Sequence, residues 1–274
     1  MPLPSRFLRM LRDGRLPVGT RLDLARAELR RRLRPRASYP VRLGPSTVHL
    51  SDDDYDVDWK SLAFVLVDAP YATGYEGAVV LDLGAHKGYY GAYALAGGAS
   101  AVTSFEPERA NLELLGRTAG SHRASGRTWH VRPTAVGARA GETDLHVMDA
   151  SWGHAINPPE RFAEYEVGTQ RIRVEALADV LAEAGTAKPA GAPLVVKVNV
   201  EGEECDAVLG TPPSAWEVVD EVFVETHPWA SCGAAELETH LSQAGLRRAA
   251  SAHPLVLRMR RAPDAPDAPR TDPT

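Results

Sequence analysis

The chain has 274 residues and a formal net charge of -5, long enough for one domain of about 200–250 residues with additions. The charge is unevenly placed, because residues 1–36 hold eleven Arg against Asp13, Asp23 and Glu28, a balance of +8 that leaves -13 on the remainder. An acidic body argues against a nucleic-acid-binding protein, and no apolar run reaches the roughly 18–20 residues of a membrane span.

The start lacks the apolar segment of a secretory leader. Cys205 and Cys232 stand 27 positions apart without CxxC or Cys/His ligand spacing. They are expected as reduced thiols in a cytoplasmic protein.

In chain order, residues 1–40 read as a basic helical arm, with one or two helices over 5–34 broken at Leu16-Pro17-Val18-Gly19. Phe7, Leu8, Leu11, Leu22, Leu24, Leu29 and Leu33 are set among its arginines. Such an arm can touch an anionic membrane, RNA or a partner subunit, but the expected arrangement is an accessory helix packed on the domain by its leucines. Val41-Arg42-Leu43 and Thr47-Val48-His49-Leu50 flank Gly44-Pro45 and predict a hairpin. The acid run 52–58 lacks EF-hand ligand order and is expected to cap a helix over 59–68.

From residue 78 on, strand-length apolar runs alternate with helical stretches, the sequence form of βαβ units. Predicted strands fall at 78–83, 101–106, 128–132, 194–200 and 220–225, with helices at 88–96, 107–118, 176–184, 203–209 and 234–244. A strand-rich detour covers 142–148 and 170–174, and 246–249 with 255–259 predict a terminal hairpin. The fold class is therefore α/β, a seven-stranded, mostly parallel Rossmann-like sheet with helices on both faces, behind the N-terminal helical arm. The domain spans 41–261, with a cofactor half at about 78–150, and the Ala/Pro/Asp-rich tail 262–274 is expected to be disordered.

Val79-Val80-Leu81-Asp82-Leu83-Gly84-Ala85-His86-Lys87-Gly88 joins an apolar strand to a glycine loop and a small-residue helix. The loop lets backbone approach a ligand, and the helix aims free amides at it. A dinucleotide fingerprint needs G-x-G-x-x-G, and its middle glycine is here His86. Glu106, in Phe105-Glu106-Pro107, follows Gly84 by 22 residues at the tip of the next strand, where a carboxylate accepts from both ribose hydroxyls. The combination points to S-adenosylmethionine, bound by Asp82, Gly84, Ala85, His86, Gly88, Glu106 and Pro107. Ala135 and Val136 would lie against adenine, and Asp149 and Trp152 are weaker adenine-pocket candidates.

Leu194-Val195-Val196-Lys197-Val198-Asn199-Val200-Glu201-Gly202-Glu203-Glu204 leads into Ala207-Val208-Leu209-Gly210. With Asp82 through Gly88, Phe105-Glu106-Pro107 and Val224-Glu225-Thr226-His227, this segment resembles the FkbM family of S-adenosylmethionine-dependent methyltransferases, over residues 79–245. The resemblance implies the class I methyltransferase fold, whose seven strands end in an antiparallel pair. It also implies O-methylation of a small molecule such as a natural product or a sugar. Asn199 departs from the family pattern, which has Asp there. An amide is a poor hard-metal ligand, so transfer without a metal is expected.

Chemistry in open α/β sheets sits beyond the carboxyl ends of strands, which selects Asn199, Glu201, Glu225 and His227. His227 is the first candidate for general base, since its ordinary pKa suits proton abstraction. Glu201 would orient the base or acceptor, and His154 is the second candidate base. Lys197 is expected to stabilise the strand end. The partner expected is a hydroxylated small molecule, with no nucleic acid and no integral membrane segment. Amine or RNA acceptors and a noncatalytic cofactor-binding protein are the competing readings, and oligomeric state is left open, a homo-oligomer included.

Overall fold

The computed structural model describes residues 11, 12, 14, 16–33, 38–123 and 126–262. Residues 1–10 of the arm and the tail from 263 onward, expected to be disordered, lie outside them.

The arm contributes α1 (Val18–Leu33), beginning after Pro17 as the break predicts. The hairpin is β1 (Ser38–Leu43) with β2 (Ser46–Ser51), paired from Ser38 with Ser51 to Leu43 with Ser46. Helix α2 (Tyr55–Ala63) starts four residues earlier than expected and continues as a π-turn, Phe64–Asp68, stopped by Ala69 at φ 48°. Asp54 stands at its N-cap without a side-chain cap bond, so the acid run does not cap the helix through this residue.

Alternating units follow: β3 (Val79–Leu83), α3 (Tyr89–Ala96), β4 (Ala101–Phe105), α4 (Arg109–Gly120) and β5 (Thr128–Arg132). Three further strands are β6 (Ala135–Gly137), β7 (Gly141–Met148) and β8 (Glu166–Ala176), succeeded by α5 (Leu177–Ala187), β9 (Leu194–Val198) and α6 (Glu204–Leu209). The chain closes with β10 (Glu221–Glu225), α7 (Ala234–Ser242), β11 (Leu246–Arg248) and β12 (Val256–Arg261).

Seven strands form the central sheet in the order β11-β12-β10-β9-β3-β4-β5. β3, β4, β5, β9 and β10 are parallel, and β12 runs antiparallel to both β10 and β11. The detour strands build a separate three-stranded sheet, β6-β8-β7, with a bulge between Val147 and Met148.

Both faces are covered at the centre of the sheet, which is why β3 and β9 are near-continuous apolar runs. Period-two alternation sends Val80, Val102, Val195 and Phe223 to a core shared with the hairpin, α2 and α3. Leu81, Leu83, Val196, Val198, Val222 and Val224 go to the core under α5, α6 and α7. At about 1.5–3 kcal/mol for each fully buried Val, Leu or Phe, these two layers fix the strand register. They hold the carboxyl ends of β3, β4, β9 and β10 along one edge, where the site lies.

Candidate active site

The glycine loop is fixed from three sides. Gly84 (φ 74°) and Ala85 donate their amides to the carbonyl of Phe105 at 3.0 and 2.9 Å, tying the loop to the end of β4. A Cβ on Gly84 would come within 1.7 Å of the Asn199 carbonyl oxygen, so only glycine permits the turn to lie against β9. Buried Lys197 spans the two strands, its Nζ 3.0 Å from the Asp82 carboxylate, 3.3 Å from the Leu83 carbonyl and 2.6 Å from the Gly84 carbonyl.

Asp82 is therefore not the ligand contact expected of it. It is fully buried, paired with Lys197 and hydrogen-bonded by Ser104, because residues two before the turn still point into the sheet. Gly88 is likewise turned away from the site, backing at φ 88° onto Leu115 and Trp129.

His86 (φ 52°) donates its amide to Glu106 Oε2 at 2.8 Å, and the Glu108 amide donates to Oε1 at 3.0 Å. Burial pushes the Glu106 carboxyl up to about 7 against these two bonds. The His86 ring, 2.7 Å from the Ser151 hydroxyl, is held well below its ordinary value by burial first and by the nearby Lys87 charge. Lys87 reaches the same Ser151 hydroxyl, at 3.1 Å. Its Nζ lies 3.0 Å from Asp54 and 2.5 Å from Asp58, so this part of the acid run binds a lysine. Asp54, Asp58 and His86 bring donor atoms within 4.8 Å of one another, and the Lys87 ammonium stands between the two carboxylates.

On the other half of the edge, Glu201 (φ 49°) and Gly202 (φ 100°) turn the chain from β9 into α6. His227, after β10, is clamped between two carboxylates: Nδ1 is 3.0 Å from Glu204 Oε1 and Nε2 is 3.4 Å from Glu201 Oε2. Glu204 also accepts the His227 amide at 2.7 Å and the Gly202 amide at 2.8 Å. Burial opposes a charge on the imidazole, but the two glutamates outweigh it and push His227 up to about 10. At neutral pH the ring is an imidazolium, and an imidazolium has no free lone pair with which to take a proton. Glu201 is raised by burial, with His227 working against it. The indole of Trp229 lies over His227 with centroids 4.7 Å apart.

Cys205 in α6 and Cys232 in the loop after β10 form a disulfide with Cα atoms 5.7 Å apart, which corrects the expectation of reduced thiols. The chain turn that carries Glu204 and the loop that carries His227 are brought together there. Spacing alone hides this, since a sequence separation of 27 is closed only by the crossover between β9 and β10.

A cavity of about 490 Å³ opens along this edge, within the range of small-molecule sites. Of the residues expected at the cofactor, Gly84, Ala85, His86, Glu106, Pro107, Ala135 and Val136 line it, as do Asn199, Glu201, His154 and His227. Trp152 also faces it, whereas Asp82 and Gly88 do not, and Asp149 is not among its lining residues. His154 is depressed by burial, and its Nδ1 accepts the Met148 amide at 3.0 Å. A neutral ring so held carries its proton on Nε2 and can only donate there.

Sequence reasoning missed three contributors. Asn111, from α4, lines the cavity and bonds the Ser151 carbonyl at 3.2 Å. Tyr71 donates to Glu225 at 2.7 Å. Glu204 was visible only as the last acid of Glu201-Gly202-Glu203-Glu204, the one signal that pointed to it.

Three buried polar atoms on cavity-lining residues have no protein partner: Asn111 Oδ1, Asn199 Oδ1 and Trp229 Nε1. A buried polar group without a partner costs about 1–3 kcal/mol, so three of them on residues lining one cavity mark it as a place for a polar ligand. Two acceptors, the carboxylates of Glu106, Glu201 and Glu225, and the backbone of a glycine loop fit a ligand with a ribose diol and cationic groups.

No protein-family model and no curated protein matches the sequence. Solved structures similar to it include the methyltransferase FkbM of Methylobacillus flagellatus, at 17% identity over 70% of this chain and 45% of that one, with a TM-score of 0.42. Magnesium protoporphyrin IX methyltransferase from Synechocystis, solved with S-adenosylhomocysteine bound, is 11% identical over 94% of each chain, with a TM-score of 0.39. The fibrillarin pre-rRNA processing protein of Methanococcus jannaschii is 9% identical over 81% of this chain and 80% of that one, with a TM-score of 0.38. The chain spans under half the length of the first of these. Likeness at this level carries no function across, so the chemistry rests on the cavity itself.

Proposed function

We propose that the chain is an S-adenosylmethionine-dependent methyltransferase acting on a hydroxyl of a small molecule, such as a natural product or a sugar. The observation that carries this is the meeting, in one cavity, of the glycine loop, Glu106 and the partnerless acceptors Asn111 and Asn199 with the Glu201–His227 pair, which Glu204 backs from behind the wall. Glu106 would accept the ribose hydroxyls, Asn199 the methionyl ammonium, and Ala135 with Val136 would flank the adenine. S-adenosylmethionine supplies, when bound, a methyl group on a sulfonium open to in-line displacement.

The protein's own part is to hold an acceptor oxygen on that line and to move its proton. His227, kept charged by Glu204, steadies the Glu201 carboxylate, and Glu201 rather than the imidazolium takes the hydroxyl proton. Burial raises Glu201 and so brings its basicity nearer to that of a useful acceptor. The apolar rings of Phe64, Tyr89 and Trp229 on the cavity wall limit water around the reacting atoms.

Calorimetry of the full chain with S-adenosylmethionine should show one site, lost in Glu106→Ala. Label transfer from methyl-labelled S-adenosylmethionine to a panel of hydroxylated metabolites should then fall at least a hundredfold in single turnover for Glu201→Gln, with cofactor affinity kept. Absence of cofactor binding would overturn the whole assignment. Label appearing only on amines, or turnover unchanged in Glu201→Gln, would overturn the hydroxyl chemistry alone.

A further inference from the structure

Helix α1 packs on the domain by one side and shows a different surface to the solvent. Its inward side is Thr20, Leu24, Ala27 and Glu28, all buried, with the Thr20 hydroxyl donating to the Arg42 carbonyl at 2.8 Å. Asp23 anchors the same contact through Arg42 at 2.7 Å. Leu24 joins Leu16 in the core and Leu11 packs against it, as expected of the arm's leucines, whereas Leu22, Leu29 and Leu33 face solvent.

Val18, Leu22, Leu29 and Leu33 are 62%, 49%, 58% and 70% exposed, and they account for half of the large exposed hydrophobics among the described residues. At about 100° per residue they fall within about 60° of arc, a straight stripe about 22 Å long. Arg26 and Arg30 border it on one side and Arg32 on the other, where Arg21 is half-buried against the Leu11 carbonyl. Both acids of the helix are turned to partners, Asp23 to Arg42 and Arg26 and Glu28 to Arg32, and the preceding sequence adds Arg6, Arg9, Arg12 and Arg15.

We propose that this face of α1 binds the surface of an anionic lipid bilayer. An aliphatic stripe bordered by arginines on both sides is the arrangement of a helix lying in the interface plane, its apolar groups in the acyl boundary and its guanidiniums at the phosphates. The charge of -13 beyond residue 36 repels the rest of the chain from such a surface, leaving the arm as the side that faces it. Self-association through the same face would set arginines against arginines across a two-fold axis. Single-stranded RNA is disfavoured, since residues 18–33 contain no aromatic side chain on which a base could stack. Among the described residues no helix is long and apolar enough to cross a membrane, so the contact is a surface one.

The test is flotation of the full chain with vesicles of phosphatidylcholine alone and of phosphatidylcholine mixed with phosphatidylglycerol. The protein should float with the mixed vesicles only, and less as salt rises. Leu22→Ser with Leu29→Ser should lower binding at least tenfold, and Arg26→Gln with Arg30→Gln by about fivefold for each arginine, with melting curves unchanged because all four side chains are solvent-facing. No flotation with anionic vesicles, or flotation undiminished by the leucine changes, overturns the proposal. So does a dimer in sedimentation that Leu22→Ser with Leu29→Ser dissolves, or a retarded RNA oligonucleotide without vesicle binding.

Discussion

Replacing Glu204 by Gln separates the charge in the clamp on His227 from its shape. Glu204 is fully buried and accepts the His227 amide, the His227 Nδ1–H and the Gly202 amide, at 2.7, 3.0 and 2.8 Å. The amide side chain keeps one oxygen for these donors and removes the negative charge facing the ring. A hydrogen bond to a charged group is worth about 1.5–3 kcal/mol, which at about 1.36 kcal/mol per pH unit lowers the His227 midpoint by about one to two units from its value of about 10. His227 is raised above its unfolded value of 6.5. Its protonated form therefore contributes stability that is fully present below about 6.5 and is lost as pH climbs through about 10. In Glu204→Gln that loss should begin at lower pH. Ring-proton NMR over about pH 5 to 11 reads the midpoint directly, and urea unfolding across the same range reads the stability. A wild-type ring that titrates near 6.5, or a midpoint unmoved in Glu204→Gln, would refute the clamp and return His227 to the role of base.

Gly84→Ala should destabilise the fold by about 2–5 kcal/mol, from the positive φ and the overpacking against Asn199; a melting curve equal to wild type would show that the loop has room to move. Because Glu106 is raised to about 7, affinity for S-adenosylmethionine should weaken as pH falls through about 7 and the carboxyl protonates. Calorimetry on both sides of that value checks it, and a flat profile would mean that Glu106 does not accept from the ribose. Lys197→Met leaves Asp82 buried without its cation and should cost about 3–5 kcal/mol in urea unfolding. Reducing the disulfide reopens a loop closed across 27 positions and should cost about 3.5 kcal/mol by chain entropy, measured as a lower denaturation midpoint with dithiothreitol.

The alternation of strands and helices was legible because β3, β4 and β9 are short apolar runs punctuated by glycine and acid, and their buried positions leave little choice of residue. Gly84 and Glu106 were legible for the same reason: a turn and a carboxylate at strand tips have few alternative uses. Asp82 misled because one residue of register decides whether a strand-end acid faces the ligand or a lysine, and its partner Lys197 lies 115 residues on. The acid run misled through locality, since capping is a neighbour effect whereas Lys87, the partner of Asp54 and Asp58, comes from the loop before α3. The protonation of His227 could not be read at all, as it depends on two glutamates from another strand end and on burial.

The close approach of Gly84 to Asn199, with Lys197 bonded to the carbonyls of Leu83 and Gly84, joins the donor side of the cavity to the first residue beyond β9 through backbone. Neither side can be remodelled without the other. By contrast, the walls from Lys60 and Phe64 and from Trp152 and Ile156 come from segments outside the parallel strands. Under selection for a new acceptor, variation can accumulate in those two walls while the shared floor stays constant. Under the proposed reading, descendants of this chain would then differ in acceptor far more readily than in methyl donor.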